Sequence, residues 1–164
     1  MGMIGEYLKV DKKTFKILKR GKVDFYDFIE ELDEEDRVDI DKAWHAIHFI
    51  LSGKVWESNE DPISKMVLSG NELGENSDGG YGPAMYLMVD DVIKISEAAE
   101  RISEEWFRQR FDVAKMKKSE IYLIESVNES EEELFEYVWS NFQDAKEFFK
   151  KAASEKKYII FSVC

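Results

Sequence analysis

The chain has 164 residues, 44% hydrophobic and 13% aromatic, which is material for one core and argues against disorder despite 35% charged residues. Its 23 basic against 35 acidic residues give a formal net charge of −12, and a surface of that sign repels phosphate backbones, which excludes general nucleic-acid binding unless a basic face is segregated. Cys164 is the only cysteine, so an intramolecular disulfide and a multi-cysteine zinc site are excluded as well. The start MGMIGEY lacks a basic region followed by a long apolar core, Glu6 stands where a myristoylation signal wants Ser or Thr, and the longest uncharged run is far short of a membrane span. The expected compartment is a reducing cytoplasm, with no membrane association.

Met3 to Val10 predicts a strand covered on both faces, with Gly5 as a bulge or close backbone approach. Asp11 is placed to cap a helix over Lys12 to Arg20 that Gly21 closes, and Asp24 to open another over Phe25 to Leu32. The acidic run Glu30 to Asp36 reads as a solvated linker, with a partner-facing patch as the sharper alternative. Asp39 to Gly53, DIDKAWHAIHFILSG, is the central helix, with Asp39 or Asp41 as N-cap and Gly53 as a left-handed stop. Ile40, Trp44, Ile47, His48 and Leu51 share one face, flanked by His45 and Phe49.

Lys54 to Glu60 is irregular with Trp56 as a hydrophobic anchor, and Asp61-Pro62 starts a short helix through Leu68. Ser69 to Gly82 holds five of the nine glycines and is the one long loop; loops of this length in a compact domain are usually functional or disordered. A second strand follows through Tyr81 to Met88, and Asp90 caps the next helix, whose apolar face is Val92, Ile93, Ile95, Ala99 and Ile102. Trp106, Phe107 and Phe111 continue the helical packing, Val113 to Lys117 adds a short turn, and Ile121 to Ile124 reads as a third strand. Ser130 with Glu133 has capping-box spacing, and a long amphipathic helix runs from there to about Ser154. Lys146, Lys150, Lys151, Lys156 and Lys157 complement its C-terminal dipole. Tyr158 to Val163, YIIFSV, is the most hydrophobic strand and belongs in a sheet centre beside the first. The expected fold class is α+β, a single domain with a small mixed β-sheet of N-terminal, C-terminal and central strands packed by several helices.

Two constellations carry chemistry. Asp41, His45 and His48 fall at i, i+4 and i+7, a spacing that can ligate a transition metal or supply an acid-base pair near neutral pH. The sequence lacks HExxH and a third histidine, and a buried His48 on a backbone carbonyl with an exposed Asp41–His45 ion pair accounts for the same residues. The loop Asn76 to Pro83 offers glycine N–H groups to an anion or carbonyl beside Tyr81 and Tyr86, although it matches neither GxGxxG nor the P-loop. A catalytic GxSxG elbow is absent.

Four blocks in this order, MGMIGEY, DIDKAWHAIHFILSG, Asp61-Pro62-Ile63-Ser64 and YGPAMYL, resemble the YfbM-like bacterial proteins, domain of unknown function 1877. The resemblance runs from end to end, weakest in the acidic region and the C-terminal helix. It implies an α+β fold and a small cytoplasmic bacterial protein, and brings no catalytic assignment with it.

The function expected is that of a binding or regulatory module, an immunity-type protein neutralising a basic protein partner being the concrete form, because an acidic surface steers basic proteins. The alternative is an enzyme or small-ligand binder whose pocket is built from Trp44, His45, His48, Tyr81 and Tyr86, with the central helix meeting the Gly-rich loop. An oligomerising role through Trp139 is the third. No cofactor and no metal are expected.

Overall fold

A computed structural model describes residues 2–164; Met1, the first residue of the MGMIGEY block, lies outside the described residues. The first strand, β1 (Gly5–Val10), and the last, β5 (Tyr158–Val163), lie side by side in the middle of a five-stranded sheet. Their positions follow from composition. All six residues of β1 are buried and so are five of the six of β5, a burden that only central strands covered on both faces can carry. Outside them lie β2 (Arg37–Asp39) next to β1, then β4 (Met85–Leu87) next to β5 and β3 (Asn71–Glu72) at the far edge. All four pairings are antiparallel, where the sequence suggested a mixed sheet.

Strand alternation divides the core in two. Leu8, Val10, Tyr158 and Ile160 face the first two helices, α1 (Lys12–Lys19) and α2 (Phe25–Glu31). Tyr7, Ile159 and Phe161 face the larger cluster formed by α3 (Trp44–Ser52), α4 (Val89–Glu100), α5 (Glu104–Arg110), α6 (Val113–Lys118) and α7 (Glu131–Ser154). Asp11 and Asp24 cap α1 and α2, and Ser130 caps α7 by accepting from the Glu133 N–H at 3.2 Å. The apolar stripe of α7, Leu134, Phe135, Val138, Phe142, Ala145, Phe148, Phe149 and Ala152, is buried throughout. Trp139 is partly buried against that packing, its ring 5.1 Å from that of Phe107.

β1 also carries two charges into the interior, and both are paired. Glu6 accepts from Arg37 at 2.6 Å, and the Lys9 ammonium reaches Glu155 at 2.5 Å and lies 4.0 Å from Asp36.

Several local readings differ. Ile121 to Ile124 is a turn, because Leu123 takes a positive φ of 72° that no strand accommodates. β2 hides behind the acidic run, its three residues too few to show a period. Asp90 sits inside α4, whose N-cap is Met88. The residues after Pro62 make only one 3₁₀ turn, Pro62–Lys65. The Ser69 to Gly82 loop folds on itself through β3 and a 3₁₀ turn at Glu75–Ser77. Gly70 sits there at φ +100°, and a Cβ on it would overlap the Tyr86 carbonyl oxygen. Gly70→Ala is therefore expected to cost about 1–3 kcal/mol, read as a lowered urea midpoint at unchanged slope; a change under about 0.5 kcal/mol would mean that the chain before β3 does not approach β4 this closely.

Candidate functional site

The central helix α3 is buried on every side, all nine residues of it, so the amphipathic stripe read from the sequence dissolves into a helix enclosed by its neighbours. Neither Asp39 nor Asp41 caps it: Ala43 holds that place without a side-chain bond, and Asp39 accepts from the Asp41 N–H at the preceding 3₁₀ turn. Gly53 does close it in the left-handed conformation, φ 72°.

Three of the four imidazole nitrogens are bonded to main chain. His45 Nδ1 accepts from the Tyr122 N–H at 2.9 Å, which leaves the proton on Nε2 to be donated to the Val55 carbonyl at 2.9 Å. His48 Nε2 donates to the Glu57 carbonyl at 3.0 Å, and its Nδ1 is buried without a partner. Burial holds both rings neutral, below the usual imidazole range, with His48 lowered to about 4. The two accepting carbonyls flank Trp56, so the helix straps the turn that carries that indole. Trp56 in turn lies over His45 with ring centroids 4.3 Å apart, His45 stacks on Trp44 at 5.2 Å, and Trp44 on Tyr122 at 5.7 Å.

The anchor expected at Trp56 is thus exposed, 58% of it, while Trp44 is the buried one, donating its indole N–H to the Met3 carbonyl at 2.9 Å. Asp41 and His45 make no ion pair. His45 is enclosed, and the Asp41 carboxylate accepts from the Tyr137 hydroxyl at 2.6 Å; burial first, and then this bond, raise that phenol well above its usual range. The i, i+4, i+7 set therefore does not converge. Among the described residues, the carboxylates that do come within 4.8 Å of one another are Asp33, Glu35 and Asp36, a mostly exposed group with Lys9 beside Asp36.

The Gly-rich loop presents its donors to its own side chain. Asp78 Oδ1 accepts from the Gly80 N–H at 2.7 Å and the Gly82 N–H at 3.0 Å, both glycines having positive φ, so the anion cradled there is internal. Ser77 is buried below it and takes the Ala84 N–H at 2.9 Å. That leaves Tyr81 outside, 54% exposed.

A cleft of about 300 Å³ opens where these two segments meet the sheet, between Trp56 and Tyr81, floored by Leu68, Met85, Phe161 and Val163. Of the five residues proposed for a pocket, Tyr81 lines this cleft, and His45 and Trp44 support it from beneath through the ring stack. His48 acts on it through the Glu57 carbonyl. Tyr86 is on the other face of the sheet, packed on Phe15 at 4.9 Å with the Lys19 ammonium 5.0 Å from its ring. Trp56 and Val163 were missed as site residues. The signal for Trp56 was a tryptophan at the head of a polar stretch, WESNED, with five polar residues following it.

The family described as Domain of unknown function (DUF1877) matches residues 1–162. The chain belongs to that family. Among DUF1877 relatives, Protein YfbM of Escherichia coli (strain K12) is 30% identical over 126 residues, 74% of each chain. The crystal structure of YfbM from Escherichia coli superposes with a TM-score of 0.78 at 22% identity, covering 99% of this chain and 100% of that one, a likeness of fold. The resemblance seen in the four sequence blocks thus holds over the chain, and the DUF1877 family is one of unknown function. Among the described residues, no helix is long and apolar enough to cross a membrane.

Proposed function

We propose that the protein is a cytoplasmic binding protein that holds a basic segment of a partner protein, with one apolar or aromatic side chain of that segment seated between Trp56 and Tyr81. The observation that carries this reading is a preformed cleft with two large, half-exposed aromatic rings across its mouth. Rings of this kind, rigid and already ordered, lose little entropy on contact and dominate binding energies where they occur.

Charge selects the partner. The stretches that carry the rings, residues 56–61 and 71–83, hold Glu57, Glu60, Asp61, Glu72, Glu75 and Asp78 and no lysine or arginine. A ligand approaching the cleft meets negative potential, and the net charge of −12 steers cationic proteins toward it at a rate that falls with salt. The single free thiol, Cys164, suits a reducing compartment. The two histidines serve as struts for Trp56.

A displayed library of random peptides selected on the protein at moderate salt tests this. Enriched sequences are expected to be net positive with one large apolar residue, and Trp56→Ala and Tyr81→Ala are each expected to weaken them by at least about tenfold, about 1.4 kcal/mol or more. Both rings are more than half exposed, so the two variants should keep the wild-type thermal midpoint within about 2–4 °C. Enrichment without charge bias, or binders indifferent to both substitutions, would remove the reading.

A further inference from the structure

The floor of the cleft is a broken strand pairing. Ile4 and Cys164 exchange hydrogen bonds at 2.7 and 3.0 Å, so by antiparallel alternation Ser162 also bonds toward β1, whereas the N–H and C=O of Val163 and Phe161 point toward β4. Phe161 pairs with Met85. Two residues on, the partner of Val163 in the same register would be Pro83, which has no N–H, and among the described residues no hydrogen bond joins the two. Gly82, at φ +97°, turns the chain away there. Val163 thus lines the cleft with its donor and acceptor both open toward it. Beside it Ser162, 4% exposed, also lines the cleft and has a hydroxyl without a partner.

We propose that the bound segment supplies the missing residue of β4: its apolar anchor pairs with Val163, exchanging two main-chain hydrogen bonds. This rests on the reading of the cleft given above. Directly opposed residues of an antiparallel pair project to the same face, so the anchor's side chain falls beside those of Val163, Phe161 and Met85, between Trp56 and Tyr81. The added ladder is one residue long, since Ala84 fills the next place and the ligand must bend out there. Main-chain pairing of this kind would give affinity beyond that of the anchor side chain, and the six carboxylates in the stretches that carry the two rings favour lysine or arginine on either side of the anchor.

The probe is a capped pentapeptide of four lysines around a central phenylalanine, titrated calorimetrically into the full chain, with five versions each N-methylated at one residue. Methylation at the phenylalanine is expected to cost at least about tenfold in affinity, and at its immediate neighbours less than about threefold. Amide exchange gives a second reading: Val163 should exchange at least about 100-fold faster than Ser162 and Phe161 in the free protein and slow on peptide addition. A peptide that binds, loses affinity in Trp56→Ala, yet shows a flat methylation scan or an unchanged Val163 amide overturns the strand pairing and leaves the cleft reading in place. A peptide that fails to bind up to about millimolar, or binds Trp56→Ala equally well, overturns both.

Discussion

Lowering the pH from 7 toward 4 is expected to remove about 3 kcal/mol of stability through His48 alone, and to loosen the turn that presents Trp56. His48 is buried and neutral, with its pKa lowered from 6.5 to about 4, and its Nε2–H holds the Glu57 carbonyl. Between those two values the unfolded chain takes up a proton that the folded chain refuses. Stability therefore rises with pH across this window, is complete above about 6.5, and is lost progressively toward 4 at about 1.4 kcal/mol per pH unit. His45 is shifted in the same direction by its own burial, and its protonation would set an Nδ1–H against the Tyr122 N–H. Urea midpoints measured from pH 7 to 4.5 isolate the imidazoles from carboxylates such as Asp11 and Glu57, whose lowered pKa values place their loss further down. His48→Gln should flatten the slope in that range. A wild-type slope that survives the substitution would assign the acid sensitivity elsewhere. Trp56 emission, followed in the same samples, should change before the global transition.

Phe149→Ala is the substitution expected to cost most, about 3–5 kcal/mol, or roughly 10 °C in melting temperature for a chain of this length. Phe149 has no exposed surface and meets the ring of Tyr7 edge-on at 5.2 Å, joining α7 to β1 on the larger face of the sheet. Tyr7 is fixed at its other end by donating its hydroxyl to the Met66 carbonyl at 2.7 Å, so it cannot collapse into the void without breaking a buried bond. The loss is thus expected near the cavity-forming end of the range. Chemical denaturation with unchanged slope would confirm it, and a cost below about 1 kcal/mol would mean that α7 does not dock on β1 as described.

Where periodicity and caps act within one turn, the sequence was readable. The α7 stripe, its Ser130 cap, the Asp11 and Asp24 caps and the central placement of YIIFSV all follow from local spacing and burial. β2 was not readable, because three residues sustain no pattern, and neither was the turn at Leu123, where the chain is bent against its local preference so that the Tyr122 N–H can reach His45. The histidine helix is buried along its whole length. Its imidazoles were candidates for chemistry because the sequence does not reveal which carbonyls stand opposite them.

The sequence by itself determined the class of fold, the two central strands, the largely apolar central helix and the acidic character of the chain, since each depends on composition or on neighbours a few residues apart. Only the tertiary structure decided that Trp56 is turned outward while Trp44 is buried, that Tyr81 and Tyr86 part to different places, and that the cleft ends on Val163, paired with β1 but open on its β4 side. Those outcomes depend on which groups meet in space, as where His45 and His48 hold the Val55 and Glu57 carbonyls, Trp44 meets Met3 and residues 4–10 pair with 158–164, and spacing along a strand or helix carries no record of that meeting.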